Sequence, residues 1–217
     1  MSRRVAMCGA RVLVLCLLAV ATAACTFGRP ESVVPTSYDF GPAPAYPRSN
    51  PAIAGTVLVA PVRAPAGLDD TAIVYRLLYE DATRTHFYAM SRWAAEPASL
   101  MTDRLRSRFA ALSQGVISPG FGARSDYTLR IELEDFSQHF PAPSQSRVLL
   151  RARATLLGTD ARKVLEQRVF NVERPAAPNA PGAVKALTEA NDAFIEELAK
   201  WATESFRFAP SPPAGPE

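Results

Sequence analysis

The chain has 217 residues, 48% of them hydrophobic, and a formal net charge of +3. Arg3, Arg4 and Arg11 account for this excess, because the chain from Cys25 onward carries 21 basic and 21 acidic residues. A neutral domain has no bulk attraction to nucleic acid, so we expect no nucleic-acid partner.

The N-terminal segment is basic and then apolar. The stretch "VLVLCLLAVATAAC" follows all three arginines, and the first acidic residue is Glu31. The apolar run from Val12 to Val20 is short, whereas a span across a bilayer needs about 20 residues. A basic start, a short apolar stretch and small residues are typical of a secretory signal peptide, which we predict over residues 1–24.

Cys25 is the cysteine that would remain after removal of this signal. A lone thiol is a liability in an oxidising compartment unless it is modified. The stretch "TAAC" resembles a bacterial lipobox, with Thr22 where that motif usually has leucine. We therefore predict that Cys25 carries diacylglycerol and an N-linked acyl chain such as palmitate. The alternative is ordinary cleavage that leaves an incidental cysteine.

Both ends of the mature chain have compositions that resist burial. Residues 25–52 are rich in proline and alanine, and we predict a lipidated tether there. Residues 207–217 are proline-rich and are predicted to be a disordered tail. The segment between them, 53–206, has the size of one domain that can bury its own core.

The first half of this domain predicts two strand regions and a helix. Thr56–Val62 is a β-branched run that indicates a buried strand, and "AIVYRLLYE" with "RTHFYAM" predicts a hairpin across the turn at residues 80–83. A helix is predicted from Pro97, a position where proline is tolerated, to a stop at Gly115. Its apolar residues recur at helical spacing: Met101, Leu105, Phe109 and Leu112.

The second half predicts three antiparallel strands and a long helix. "DYTLRIELEDF" and "SRVLLRARATLL" alternate apolar and polar residues, which would place Arg151 and Arg153 opposite Glu132 and Glu134. "KVLEQRVFNVE" is the third strand. The helix covers about residues 182–206 and is expected to pack on the sheet through Phe194, Leu198 and Trp201. These elements predict a single α+β domain with a mostly antiparallel sheet and two main packed helices.

The order and spacing of several stretches resemble a known family. They are "SYDFGP", "VLVAPVRAPAGLDDTAIVYRL", "THFYAMSRWAAEPASLMTDRLRSRF", "YTLRIELEDFSQHF", "SRVLLRARATLL" and the helix that ends in "ELAKW". In this order they resemble the ABC-type transport auxiliary lipoproteins, the PqiC-like group. The resemblance extends from about Thr36 to Trp201.

This resemblance implies an auxiliary subunit that serves an ABC permease, its ATPase and an MCE-domain protein. Such systems move phospholipids or other lipids between the inner and outer membranes. Thr26 is not the aspartate that commonly retains lipoproteins in the inner membrane, so we expect a lipid anchor in the outer membrane, on its periplasmic face. Homo-oligomers are compatible with this role. The alternative is an envelope lipoprotein that regulates or assembles envelope machinery without transport.

The sequence contains few residues suited to catalysis. His86 and His139 lie far apart, no G-x-S-x-G motif is present, and "GFGARS" leads into a strand instead of a helix. The carboxylates Glu132, Glu134 and Asp135 lie on a predicted strand near arginines, as is usual for a solvated strand face. We therefore expect no enzyme, no metal site and no cofactor beyond the acyl chains on Cys25.

Aromatic residues concentrate around the first hairpin and the entry to the first helix. They are Tyr75, Tyr79, Phe87, Tyr88 and Trp93. One interpretation places them in the core. The other makes Tyr75, Phe87, Tyr88 and Trp93 a partly exposed contact surface for a partner protein or a lipid.

Overall fold

The structure is a computed structural model that describes residues 34–47, 50–120, 122–158 and 163–207. The predicted signal peptide, Cys25 and most of the predicted tail therefore lie outside the described residues. The chain divides into two units, and the second, Pro35–Glu217, contains every element described below.

Eight strands and two helices make up the described fold. The strands are β1 (Thr36–Tyr38), β2 (Ile53–Val59), β3 (Ala72–Leu77), β4 (His86–Trp93), β5 (Ser113–Ile117), β6 (Tyr127–Ala142), β7 (Gln145–Leu157) and β8 (Val164–Ala176). The helices are α1 (Pro97–Leu112), which lies between β4 and β5, and α2 (Ala180–Arg207), which follows β8.

The sheet is organised around the long strand β6. One edge of β6 pairs with β7 along most of its length, and β7 in turn pairs with β8. The opposite edge is shared by two strands, since β2 pairs with Tyr127–Leu129 and β3 pairs with Gln138–Phe140. The sheet continues from β2 to β5 and from β3 through β4 to β1. It therefore forks on one side of β6.

The expectation of a mostly antiparallel sheet is wrong, because the sheet is mixed. β3–β4, β6–β7 and β7–β8 are antiparallel, whereas β1–β4, β2–β5, β2–β6 and β3–β6 are parallel. Hairpins are local and leave a pattern in the sequence, but parallel partners are joined by long crossovers that leave none. The single α+β domain with two helices is confirmed.

Several elements differ from their predicted positions, and β2 covers Ile53–Val59 where Thr56–Val62 was predicted. Helix α1 begins at Pro97 as expected but ends at Leu112, because Ser113 is extended and starts β5. The Ser113 hydroxyl donates to the Phe109 carbonyl at 2.8 Å at this helix end. Within the segment predicted as tether, residues 25–52, β1 joins the sheet and Phe40 is buried.

The core lies between the helices and one face of the sheet. Met101, Leu105 and Phe109 of α1 are fully buried, as are Phe194 and Leu198 of α2. The sheet contributes the alternating residues predicted for it: Tyr127, Leu129, Ile131 and Leu133 from β6, and Val148, Leu150, Ala152, Ala154 and Leu156 from β7. The packed α2 face confirms that this helix is part of the core.

Candidate functional site

The end of the sheet that receives the N-terminal segment is the candidate functional site. β1 pairs in parallel with the end of β4, where Tyr38 is the partner of Trp93. The Tyr38 carbonyl accepts a hydrogen bond from the Ala94 amide at 2.6 Å. Phe40 then enters the core, with its ring edge-on to Trp93 at 5.4 Å and to Phe136 at 5.9 Å. The segment after the predicted anchor is thus held by both backbone pairing and aromatic packing.

Arg104 of α1 binds the same segment through hydrogen bonds. Its side chain is almost fully buried, and its guanidinium lies 5.6 Å from the centre of the Phe40 ring. One terminal nitrogen donates to Asp192 of α2, and the other donates to the Phe40 carbonyl and to the Gly41 carbonyl, the latter at 3.1 Å. The guanidinium group is planar and carries several N–H donors, so it can bind a carboxylate and two carbonyls at the same time. We call this set of contacts the clasp.

A second arginine extends the contact between the N-terminal segment and the helices. Arg108 lies one turn beyond Arg104 on α1, and its side chain pairs with Glu196 of α2 at 2.8 Å. Its guanidinium lies 4.8 Å from the centre of the Tyr46 ring. Burial raises the pKa of Tyr46, and the nearby charge of Glu196 adds to this effect. Tyr46 therefore stays a neutral phenol packed against a cation.

The aromatic residues around the first hairpin form a second cluster. The Tyr75 ring stacks on His86 at 5.1 Å and contacts Tyr88 at 4.8 Å and Phe140 at 5.8 Å. The Tyr88 hydroxyl donates to Oε1 of Gln138 at 2.6 Å. Burial raises the pKa of Tyr88 to about 12, with a smaller contribution from Tyr75. These rings and their hydrogen bond stiffen the junction of β3, β4 and β6.

The structure separates the four residues predicted as a contact surface. Tyr75 and Tyr88 are half-buried in this cluster, and Trp93 is 1% exposed in the core. Phe87 is 51% exposed, because it points away from the cluster on the strand between His86 and Tyr88. Two further apolar side chains of the same hairpin are exposed, Tyr79 at 42% and Met90 at 48%.

A small polar cluster lies on β6 that sequence reasoning did not assemble. The Ser137 hydroxyl donates to Asp135 and lies 3.0 Å from Nε2 of His139, with Ser137 and His139 buried. Nε2 of His139 also lies 3.6 Å from Asp135, so the three side chains form one set of polar contacts on the strand. The alternation of three polar residues on one strand face was the signal for this cluster.

The predicted cross-strand charges do meet. Glu132 is the register partner of Arg153, and Glu134 accepts hydrogen bonds from Arg151 at 2.8 Å and from Arg153 at 2.7 Å. The bonds from Arg151 and then Arg153 hold the pKa of Glu134 below its usual value. Glu134 is therefore an ionised partner of two arginines on this strand face.

A groove of about 400 Å³ is lined by the end of β2, the residues after it, Pro119 and the first half of β6. Its walls are mainly apolar, with Leu58, Pro61 and Pro119 among them, and Arg63 and Arg130 stand at its rim. Within the described ranges, no group of three or more histidine, cysteine or acidic residues is placed to hold a metal ion. In the same part of the chain no helix is both long and apolar enough to cross a membrane.

The family model of the ABC-type transport auxiliary lipoprotein component matches residues 38–199. The chain therefore belongs to this family, as its sequence motifs suggested. The match begins at the last residue of β1, so it includes the clasp and nearly the whole fold. Membership makes the chain a lipoprotein and an auxiliary component of ABC-type transport, and it implies a membrane-anchored location in the cell envelope.

Two solved structures resemble the fold. A crystal structure of a Xanthomonas campestris protein, described as family DUF330, is 22% identical with a TM-score of 0.65 and covers 80% of this chain and 95% of its own. The crystal structure of a protein described as uncharacterized is 16% identical with a TM-score of 0.59, covering 78% of this chain and 99% of its own. At these identities the likeness shows the fold alone. No curated protein matches the sequence.

Proposed function

We propose that the chain is a non-catalytic outer-membrane lipoprotein, anchored by acyl chains on Cys25, that docks an ABC transport system carrying an MCE-domain protein. The system would move phospholipids or other lipids across the periplasm. Family membership supports the role in transport. The permease, the ATPase and the MCE protein are the partners that the sequence resemblance implies.

The topology of the sheet carries this proposal. The tethered strand β1 and the strand β8 lie at opposite edges, in the order β1, β4, β3, β6, β7, β8. Five strand steps of about 4.8 Å separate these edges by roughly 24 Å along the sheet. A domain held to a membrane at one edge therefore presents its other edge to the periplasm.

β8 has the properties of a docking edge. It is a strand of 13 residues that pairs only with β7 among the described residues. Val164 and Val169 are 54% and 40% exposed on it. Strand edges and exposed apolar side chains are the features by which many protein partners bind a sheet. We therefore place the MCE protein at β8.

A non-catalytic role agrees with the chemistry of the polar groups. The Glu134 carboxylate is hydrogen-bonded to two arginines, Arg151 and Arg153. Acyl anchoring also favours a tethered binding role. Several acyl chains give stable attachment to a membrane where one is marginal, and attachment raises the effective concentration for any partner that reaches the membrane.

Binding of the purified mature domain to the outer-membrane-facing end of the MCE protein tests this function. We expect the parent domain to bind and the variant Val164→Asp/Val169→Asp to lose most of its affinity. The new carboxylate at Val169 faces its register partner Arg153, so the fold should tolerate it.

The matched control is Phe87→Asp/Met90→Asp, which places two carboxylates on exposed apolar positions near the tethered edge. It should bind the MCE protein in solution like the parent. A parent domain that fails to bind, tested beside a working positive control, contradicts the docking function and leaves the regulatory alternative. Equal loss in both variants contradicts the assignment to β8.

A further inference from the structure

The hairpin β3–β4 carries half of the exposed large hydrophobic side chains among the described residues. Tyr79 lies in its turn, and Phe87 and Met90 lie on β4. We call these three residues the hairpin patch. Phe87 and Met90 are three residues apart, a separation of about 10 Å at most along an extended chain. Three exposed apolar side chains on one hairpin make it a candidate contact surface.

An irregularity in β4 presents part of this surface outward. Ala72 and Val74 of β3 are two residues apart, but their register partners on β4, Arg92 and Phe87, are five residues apart. β4 therefore contains a bulge at this place. The extra residues of β4 include Met90, which is 48% exposed. Bulges bend a strand and redirect its side chains. The outward position of Met90 is therefore built into the pairing of the hairpin.

The N-terminal segment enters the fold beside the same bulge. Thr36, the first residue of β1, is the register partner of Ser91, which follows Met90. Neighbouring strands lie about 4.8 Å apart. Because β1 runs parallel to β4, its first residue lies toward the end of β4 that follows the hairpin turn. The pairing of β1 therefore begins on the same side of the sheet as the hairpin patch.

The chain between the predicted anchor and the fold is short. Eleven residues lead from Cys25 to Thr36. Fully extended they reach about 40 Å, and as a flexible chain they span roughly 18 Å on average. Phe40 is buried and its carbonyl is bound by Arg104. The clasp therefore holds β1 on the sheet, and the residues of β1 add no length to the tether. The hairpin therefore remains within reach of the bilayer that holds the acyl chains.

We propose that Tyr79, Phe87 and Met90 rest on the surface of the lipid bilayer that carries the anchor. The contact orients the domain with the β1–β4 edge toward the lipid and with β8 away from it. Tyrosine and phenylalanine suit the boundary between headgroups and acyl chains. The exposed side chains of Arg84 and Arg92 flank the patch and suit lipid phosphates. The proposal rests on anchoring at Cys25, as stated under the proposed function.

Tryptophan reporters on the anchored mature chain test this contact. Cys25 is the single cysteine of residues 25–217, so a maleimide lipid attaches the chain at that point. Vesicles of phosphatidylethanolamine and phosphatidylglycerol with brominated acyl chains quench a tryptophan that touches them. Phe87→Trp and Met90→Trp are the reporters, and Val169→Trp on β8 is the control. Trp93 and Trp201 are 1% and 4% exposed and supply a constant background.

We expect brominated vesicles to reduce the emission of both hairpin reporters and to leave the Val169→Trp protein like the parent. Equal quenching at all three positions, or none at any, overturns the proposal. The proposal is also overturned if added MCE protein changes the emission of the hairpin reporters while brominated lipid does not. That result would assign the patch to a protein partner. A blue shift with protein concentration in the absence of vesicles would assign it to a second copy of the chain.

The maleimide lipid keeps this test independent of native acylation. Intact mass measurement of the protein from its native membrane reports whether Cys25 is acylated, and so tests the proposed anchor separately. A protein without native acyl chains whose hairpin reporters are still quenched would contradict the anchor and support the contact. A fully acylated protein without quenching would contradict the contact and leave the anchor in place.

Discussion

Arg104 joins three parts of the chain that are distant in sequence. Its guanidinium contacts Asp192 on α2 and the carbonyls of Phe40 and Gly41 after β1. It lies on the buried face of α1, between Met101 and Leu105. An arginine within an apolar helical stripe is the sequence signal that points to a buried partner, because an unpaired charge there would be costly.

Replacing Arg104 with methionine should destabilise the fold and free the N-terminal segment. We expect a loss of roughly 2–3 kcal/mol, below the 3–5 kcal/mol typical of a fully buried pair, because the Asp192 side chain is 34% exposed. Urea unfolding measures the loss, and hydrogen exchange should rise over residues 38–42.

The matched control for this variant is Arg108→Met. It removes a similar pair between the same helices, but Glu196 is 52% exposed. Pairs exposed to solvent are worth about 0–1 kcal/mol, so the control should be nearly neutral. Equal effects of the two substitutions would show that the clasp contributes no more than a surface ion pair.

Glu166 on β8 provides a pH-dependent contact with α2. It accepts hydrogen bonds from the Trp201 indole at 2.8 Å and from the Ser205 hydroxyl. The bond from Ser205, followed by that from Trp201, holds the pKa of Glu166 below its ordinary value of 4.5. A carboxylate with a lowered pKa in the folded state stabilises the fold above its unfolded pKa, and this stability is lost as the pH falls through the folded pKa.

Glu166→Gln should therefore lower the free energy of unfolding at neutral pH by about 0.5–1.5 kcal/mol, the usual net value of one hydrogen bond. The difference from the parent should shrink as the pH falls below 4.5, where the parent glutamate also becomes neutral. Urea unfolding across this pH range measures the difference. Glu197→Gln, on an exposed position of α2, should change stability by less than about 0.5 kcal/mol. A difference that does not vary with pH would contradict a role for the charge.

At the scale of elements, the join between β2 and the start of β6 depends on a glycine. Gly55 has φ 136°, and an added Cβ would lie 2.9 Å from Oδ2 of Asp126. That oxygen accepts hydrogen bonds from the Thr56 amide at 2.7 Å and the Thr56 hydroxyl at 2.9 Å. The close approach of the Asp126 carboxylate to the β2 backbone therefore needs a residue without a side chain.

Gly55→Ala should cost about 1–3 kcal/mol, because it combines a strained backbone conformation with a clash at Asp126. In a chain of this size that corresponds to a fall in melting temperature of roughly 2–4 °C for each kcal/mol. Gly115→Ala on β5 is the control, since its added Cβ would meet its nearest atom, in Thr56, at 3.8 Å. Similar melting temperatures for the two variants would contradict the role of Gly55.

The elements that sequence reasoning found are those with local patterns. β6 and β7 alternate over many residues, and their facing glutamates and arginines indicated the register that pairs Glu132 with Arg153. β1 and β5 were not predicted, because three and five residues are too few to show a period. Both are held by parallel partners distant in sequence, β4 and β2 respectively.

At the scale of the whole molecule, we propose that an anchor at Cys25 determines where the domain works. Cys25→Ser should yield a protein without acyl chains that no longer fractionates with the outer membrane. The reason is that the diacylglycerol would be joined to the cysteine sulfur, which serine lacks. Membrane fractionation and intact mass measure the two effects. A serine variant that still follows the outer membrane like the parent would contradict the anchor at Cys25.

The sequence by itself determined the α+β class, the hairpins and the packed faces of both helices, because alternation and helical spacing are local properties. Family membership also followed from stretches that can be read along the chain. Only the tertiary structure decided the parallel pairings that fork the sheet, since their partners are brought together by crossovers. It also decided that Trp93 is buried while Phe87 and Met90 are exposed, because a bulge in β4 sets these directions. The tertiary structure also decided the clasp, because Arg104, Asp192 and Phe40 meet only once the sheet and both helices have packed.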